Sequence, residues 1–192
     1  MSQKELVING RKFKTRLFIG TGKFANNALL AEAIKTCGIE LVTVALKRVD
    51  LTKKQEDSIL KYLDIKDLVI APNTSGARNA EEAVRAGEYI LAAGFKWIKL
   101  EIHPDPYHLL PDPVETYLAA EKLCKLGMTV LPYINADPVL CKRLEDCGCP
   151  AVMPLAAPIG TNQGLKTRSM LEIIIEKSNV PVIIDAGLGA PS

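Results

Sequence analysis

The sequence predicts an α/β protein, a (β/α)8 barrel that lacks its last βα unit within these 192 residues. Three observations predict this fold: short strand-like runs alternate with helical stretches, glycines separate each helix from the next strand, and polar residues follow the strand ends. Strands that alternate with helices form right-handed βαβ units and a parallel sheet. Seven parallel strands are predicted, near residues 17–20, 41–45, 68–72, 97–102, 129–133, 151–155 and 182–185.

A β-hairpin across residues 6–13 is predicted ahead of these strands. Asn9-Gly10 separates Leu6-Val7-Ile8 from Arg11-Lys12-Phe13, and this dipeptide is typical of a type I′ turn. We expect the hairpin to cover the bottom of the sheet. No linker or change in composition divides the chain, so residues 1–192 are interpreted as a single domain.

The helix boundaries are marked by capping residues. A glycine takes the left-handed conformation after a helix at little steric cost, and a glycine precedes four of the predicted strands: Gly38, Gly94, Gly127 and Gly148. Asn79 and Asp112 each stand three residues before a glutamate, as N-caps do. Asp137-Pro138 places proline at the first helical position, where its missing N–H costs nothing.

Two arrangements of the parallel sheet compete, a doubly wound open sheet and a barrel. An open sheet concentrates its site at one switch point, whereas a barrel site collects residues from the carboxyl ends of many strands. Polar residues stand at or just beyond the carboxyl ends of five of the predicted strands: Thr21, Asn73 with Thr74, Glu101, Asn135 and Asp185. This distribution favours the barrel. A complete barrel takes about 250 residues and eight strands, and this chain stops just after its predicted seventh strand.

The composition excludes several classes of protein. With 24 Lys plus Arg against 22 Asp plus Glu and 48% hydrophobic residues, the chain is neither disordered nor polybasic, so we expect no nucleic-acid partner. No apolar run approaches the roughly 18 residues of a membrane span. The first residues lack the apolar segment of a secretory signal. We therefore expect a cytoplasmic protein that does not enter a membrane.

The five cysteines are expected to be reduced thiols, and no metal site is predicted. They are odd in number, and no secretory signal precedes them: Cys37, Cys124, Cys141, Cys147 and Cys149. The last three lie close together in sequence, which would suit zinc. A structural zinc site takes four ligands in recognisable pairs, however, and neither histidine lies near in sequence.

The segment Trp97 to Asp105 is the densest candidate for chemistry. Side chains alternate along a strand, so Ile98, Leu100 and Ile102 share the face that packs on helices, while Lys99 and Glu101 share the inward face. Burial lowers the pKa of a lysine and frees its amine to form a Schiff base, whereas a nearby glutamate favours the ammonium. A structural Lys–Glu pair is the alternative interpretation.

Two glycine-bearing loops are candidates for binding phosphate. Val182 to Asp185 is an apolar strand that ends in an acid, which suits proton transfer at the mouth of a site. The backbone amides of Ala186 and Gly187 follow it, and barrel phosphate sites are commonly built by the loops after the seventh and eighth strands. Gly160 lies in the other loop, residues 158–164.

The proline-rich stretch from residue 103 to residue 112 is either a lid over the site or a simple connection. It carries both histidines of the chain, His103 and His108. We interpret each as a loop residue rather than a general base.

Seven segments of the chain, taken together, resemble the bacterial thiazole synthase family, which builds the thiazole phosphate of thiamine. They occur in the family's order along the whole chain: residues 17–24, 43–49, 72–76, 99–102, 110–113, 153–155 and 184–189. The resemblance implies a (β/α)8 barrel without a cofactor that condenses 1-deoxy-D-xylulose 5-phosphate, dehydroglycine and sulfur from a thiocarboxylated sulfur-carrier protein. It also implies a homo-oligomer.

The resemblance assigns roles to individual residues. Lys99 matches the lysine that forms an imine with the ketose, and Glu101 and Asp185 match the acid–base groups. Gly160, Ala186 and Gly187 match residues near the sugar phosphate. The family's last strand, with an Asn-Thr phosphate contact, would lie beyond Ser192. If the molecule ends at Ser192, we expect an open sheet edge, weakened phosphate binding and little or no activity. A Schiff-base aldolase on another ketose phosphate and a non-catalytic barrel that binds the carrier are the alternatives.

Overall fold

The computed structural model describes residues 5–22, 24–45, 59–63 and 65–190, in which strands and helices alternate after an N-terminal hairpin. The strands are β1 (Leu6–Ile8), β2 (Arg11–Phe13), β3 (Ile19–Gly20), β4 (Leu41–Ala45), β5 (Val69–Asn73), β6 (Trp97–Leu100), β7 (Thr129–Ile134) and β8 (Met153–Pro154). The helices are α1 (Asn27–Cys37), α2 (Ile59–Tyr62), α3 (Ala80–Ala92), α4 (Pro113–Lys125), α5 (Pro138–Asp146) and α6 (Arg168–Lys177).

The main sheet is parallel, and its strands lie side by side in chain order from β3 to β8. Beyond β8 the pairing continues to residues 182–185 through parallel bridges from Val152 to Val182 and from Leu155 to Asp185. A doubly wound sheet would reverse its strand order at a switch point, and this one does not. The predicted barrel-type fold is confirmed as a partial, open form: among the described residues, β3 does not pair with the 182–185 segment.

The hairpin of β1 and β2 lies against the amino ends of the parallel strands. Both turn residues have positive φ, +48° at Asn9 and +76° at Gly10, as a type I′ turn requires. The side-chain amide of Asn9 donates to Thr129 Oγ1 at 2.6 Å, at the start of β7. Ile8 and Phe13 are buried among inward-facing strand residues: Leu41, Val69, Ala71, Leu131 and Met153. The lower half of the barrel interior is therefore a packed apolar layer.

The outward faces of the strands pack on the helices. Ile98, Leu100 and Ile102 are all fully buried in one cluster with residues of α3, α4 and α5, as the alternation of the strand predicts. The predicted caps are present: Asn79 accepts a hydrogen bond from the Glu82 amide at 2.9 Å, and Asp112 accepts two from the first turn of α4. None of the described helices combines the length and apolar character needed to cross a membrane.

Strand β6 is shorter than the sequence predicts, because its pairing changes after Leu100. The amide of Glu101 donates to Thr74 Oγ1 at 2.8 Å, and the Thr74 hydroxyl donates to the Glu101 carbonyl at 2.7 Å. The Thr74 hydroxyl thus replaces the strand-to-strand backbone hydrogen bonds that Glu101 would otherwise make. This contact fixes the backbone at the point where the candidate residues enter the interior.

Candidate active site

A cavity of about 600 Å³ opens at the carboxyl ends of the parallel strands. Residues from β4, β5, β6 and the 182–185 segment line it, so it draws on many strands as a barrel site does. Of the polar residues predicted at strand ends, four line the cavity: Thr21, Asn73, Glu101 and Asp185. The other two do not line it. The Thr74 hydroxyl is hydrogen-bonded to the backbone of Glu101, and the side-chain amide of Asn135 donates to the Pro111 carbonyl at 3.3 Å.

Lys99 lies at the centre of the cavity floor and contacts two carboxylates. Its Nζ is 2.6 Å from Asp185 Oδ2 and 3.1 Å from Glu101 Oε1. The Lys99 side chain is 10% exposed and that of Glu101 is 7% exposed, whereas the Asp185 side chain is 28% exposed toward the cavity. The lysine amine is therefore inside the fold and reaches solvent only through the cavity.

The two carboxylates keep the lysine charged when the cavity is empty. Burial disfavours the ammonium, but the charges and hydrogen bonds of Asp185 and Glu101 outweigh it and raise the pKa of Lys99 above its ordinary value. Burial likewise opposes ionisation of Glu101, yet the Lys99 charge and the hydrogen bonds from His103 and Lys99 lower its pKa. The amine can act as a nucleophile only after it gives up a proton, and Asp185 Oδ2 is the nearest acceptor.

His103 lies just after β6, in the loop where the sequence predicts it, and it is also a member of this site. It is 5% exposed, lines the cavity, and places Nε2 3.4 Å from Glu101 Oε2. Its Nδ1 is buried without a hydrogen-bond partner in the described part of the chain. The alternation of side chains along β6 could have indicated this position, because His103 is two residues beyond Glu101 and so continues the inward face. His108, in contrast, is exposed and pairs with Asp105 at 2.6 Å.

Tyr133 completes the wall behind the lysine, and sequence reasoning did not single it out. Its ring centroid lies 5.4 Å from Lys99 Nζ and 5.7 Å from the His103 ring, with the two rings edge to face. The side chain is fully buried, and its hydroxyl has no partner among the residues that the structure describes. Burial and the nearby charges of Asp185 and Glu101 raise its pKa, so the phenol stays neutral.

The residues proposed for phosphate binding lie on one side of the cavity. Gly160, Ala186 and Gly187 all line it. Ala186 and Gly187 are both left-handed, with φ of +60° and +63°, and neither amide donates to an acceptor within the described chain. A Cβ on Gly187 would lie 2.6 Å from both the Cβ and the carbonyl oxygen of Ala157. Only glycine fits this position, where the chain passes against the backbone of Ala157.

Comparison with known proteins gives a consistent set of relatives. The chain matches the family described as thiazole biosynthesis protein ThiG over residues 7–192. It is 61% identical to the thiazole synthase of Cytophaga hutchinsonii, across 98% of this chain and 73% of that protein. It is 58% identical to the thiazole synthase of Phocaeicola vulgatus, across 98% of this chain and 74% of the relative.

Solved structures share the fold. The BexX/CysO complex of Amycolatopsis orientalis superposes with a TM-score of 0.82 at 26% identity, covering 96% of this chain and 76% of that one. A native KDPGal structure has a TM-score of 0.56 at 15% identity, with 91% of this chain and 74% of that chain covered. The similarity to the native KDPGal structure concerns the fold alone.

Proposed function

Since this chain belongs to the ThiG family and is a thiazole synthase of thiamine biosynthesis, we propose that its reaction passes through an imine on Lys99. The observation that carries the proposal is the position of the amine: it is buried on the cavity floor, 2.6 Å from a carboxylate that is itself open to the cavity. A substrate ketone that enters the cavity meets the nitrogen and a proton acceptor together.

The first step is a proton transfer from the Lys99 ammonium to Asp185. The neutral amine attacks the ketone carbon of the sugar phosphate, and the resulting carbinolamine loses water to give the imine. Glu101, 3.1 Å from the nitrogen on the other side, supplies the second group for moving protons during tautomerisation. General acid–base catalysis of this kind contributes about 10² to 10⁴ in rate per positioned group.

His103 acts in this scheme as a positioning residue. Its ring reaches Glu101 rather than the lysine, and Tyr133 packs against it edge to face. A hydrogen bond to a carboxylate favours the charged form. We infer that His103 holds Glu101 ionised and oriented toward Lys99 between the proton transfers.

The substrates follow from the family. We assign the ketose to 1-deoxy-D-xylulose 5-phosphate, whose phosphate would accept hydrogen bonds from the amides of Ala186 and Gly187 beside Gly160. Unpaired amides in a left-handed turn attract anions. Dehydroglycine and the sulfur of a thiocarboxylated carrier protein supply the remaining ring atoms. The BexX structure contains a second protein, CysO, which supports a protein as the sulfur donor here.

We also propose that the chain forms a homo-oligomer, and sedimentation of the purified chain tests this. A Schiff-base aldolase on another ketose phosphate is the enzymatic alternative, and it shares the lysine and the barrel. The family match favours thiazole formation, and a sulfur-containing product in the mass spectrum separates the two.

Borohydride trapping tests the imine directly. The chain is incubated with 1-deoxy-D-xylulose 5-phosphate, reduced with borohydride and digested, and the peptide that contains Lys99 is examined by mass spectrometry. We expect the sugar adduct on this peptide in the wild type and no adduct in Lys99→Ala. Lys96→Ala is the matched control, because this lysine is exposed three residues earlier and should leave trapping unchanged. An adduct that survives in Lys99→Ala contradicts the assignment.

A further inference from the structure

Three cysteines form a cluster at the end of the fold opposite the cavity. Cys124 lies in the last turn of α4, Cys147 is the C-cap of α5, and Cys149 follows two residues later. All three Sγ atoms lie within 4.8 Å of one another, and those of Cys124 and Cys149 are 3.9 Å apart. Sequence reasoning grouped Cys141 with Cys147 and Cys149, but the packing of α4 against α5 brings in Cys124 instead.

The cluster lies outside the cavity, on the side of the strands that packs on the helices. Helices α4 and α5 end where they turn back into strands, so their carboxyl ends lie at the amino ends of β7 and β8. The cavity lies at the carboxyl ends of the same strands. A function of these thiols is therefore separate from the chemistry in the cavity.

The distances fit the coordination shell of a thiophilic metal ion. With metal–sulfur bonds of about 2.3 Å, sulfur atoms are about 3.8 Å apart in a tetrahedral shell and about 4.0 Å apart in a trigonal one. The Sγ atoms of Cys124 and Cys149, 3.9 Å apart, already have this spacing. The most distant pair of sulfur atoms, at up to 4.8 Å, would need to approach by about 1 Å at most. A disulfide would need a far shorter contact and an oxidant.

The local backbone and the surroundings allow this closure. Gly148 has φ of +107°, a conformation that favours glycine, and it turns the chain so that Cys147 and Cys149 both face Cys124. Cys149 is 1% exposed, whereas Cys124 and Cys147 are half-buried, so an ion can enter from solvent. Among the described residues, no histidine or carboxylate joins the group. A fourth position is left for water or an external thiol.

We propose that Cys124, Cys147 and Cys149 form a three-thiolate site for a thiophilic d¹⁰ cation, Zn²⁺ or Cu⁺. Thiolate ligands select these ions over hard cations such as Mg²⁺. The bound ion ties the carboxyl end of α4 to the turn after α5 and so stabilises this end of the barrel. Each coordinating thiol releases its proton on binding, which makes the affinity increase with pH.

Metal titration of the reduced 192-residue chain tests the site, in one arm with Zn²⁺ and in another with Cu⁺, each against a chromophoric chelator. We expect one ion per chain, with sulfur-to-metal charge-transfer absorption when Cd²⁺ is substituted. Cys124→Ser and Cys147→Ser, both at half-buried positions, should each weaken binding at least tenfold. Cys37→Ser is the matched control, because this exposed thiol at the end of α1 lies outside the cluster.

The outcomes decide the proposal. Stoichiometric binding that falls in both cluster variants and persists in Cys37→Ser supports it, and the tighter arm identifies the ion. Equal affinity in the wild type and Cys124→Ser overturns it, as does binding that depends on Cys37. Borohydride trapping at Lys99 in Cys124→Ser shows that the fold is intact, so a loss of metal binding cannot be attributed to unfolding.

Discussion

Replacing Lys99 with methionine should destabilise the fold by about 3 kcal/mol at neutral pH. Methionine keeps the length and the apolar stem of the side chain but leaves Glu101 and Asp185 without their cation, which lies 3.1 and 2.6 Å away. Removing one partner of a buried ion pair costs about 3–5 kcal/mol, because the remaining charge is uncompensated. The lower value applies here, since the Asp185 side chain keeps 28% of its surface exposed.

The pH dependence of this loss distinguishes a missing charge from poorer packing. In the wild type the pKa of Glu101 is lowered, so its carboxylate contributes stability above the ordinary pKa of glutamate. That contribution is lost as the pH falls through the lowered pKa. Without Lys99, burial dominates and raises the pKa of Glu101. The variant should then lose stability as the pH increases through the raised pKa, which is the opposite trend.

Urea unfolding at 25 °C between about pH 3 and 8 measures the loss of stability and its pH dependence, and thermal unfolding should show a Tm lowered by roughly 6–12 °C for a chain of this size. Lys125→Met is the control, because its pairing with Glu121 at 3.2 Å is exposed. Such a surface change stays within about 0.5 kcal/mol. The reasoning is wrong if Lys99→Met lowers the free energy of unfolding by less than about 1 kcal/mol and its stability changes with pH as that of the wild type does. In that case the ion pairs do not hold the carboxylates charged.

Three further substitutions test the parts around the lysine. His103→Leu removes the hydrogen bond to Glu101, so the acid limb of the rate–pH profile should move up by roughly one pH unit, a shift that a purely structural role would not cause. Gly187→Ala places a methyl group against Ala157, and substrate KM should rise at least tenfold with about 1–3 kcal/mol lost in urea unfolding. Thr74→Val leaves the buried amide and carbonyl of Glu101 unpaired and should cost about 1–3 kcal/mol in the same assay.

Matched substitutions separate these effects from general loss of stability. Gly160→Ala also occupies a left-handed position at the cavity, but its Cβ would meet nothing within 4 Å, so it should cost less than Gly187→Ala. Thr161→Val removes an exposed hydroxyl bonded to the Pro158 carbonyl and should stay within about 0.5 kcal/mol. Equal losses within either pair would show that the close contacts are not the cause.

Local pattern accounts for much of the fold. The Asn9-Gly10 turn, the caps at Asn79 and Asp112 and the two-residue alternation of β6 each follow from chemistry within a few residues, and the structure contains them. The same alternation puts Lys99 and Glu101 on the inward face. Strand length was less predictable, because β6 ends where a hydroxyl from Thr74, 27 residues earlier, takes over its hydrogen bonding.

The sequence alone determined that one buried lysine would meet a glutamate two residues away, since both lie on one strand. Tertiary structure decided the rest: Asp185 reaches the same nitrogen from 86 residues away, and Cys124 joins two thiols beyond the next helix. Periodicity constrains neighbours along the chain, whereas these contacts depend on how far each strand and helix is shifted against the next, which packing of the whole interior sets.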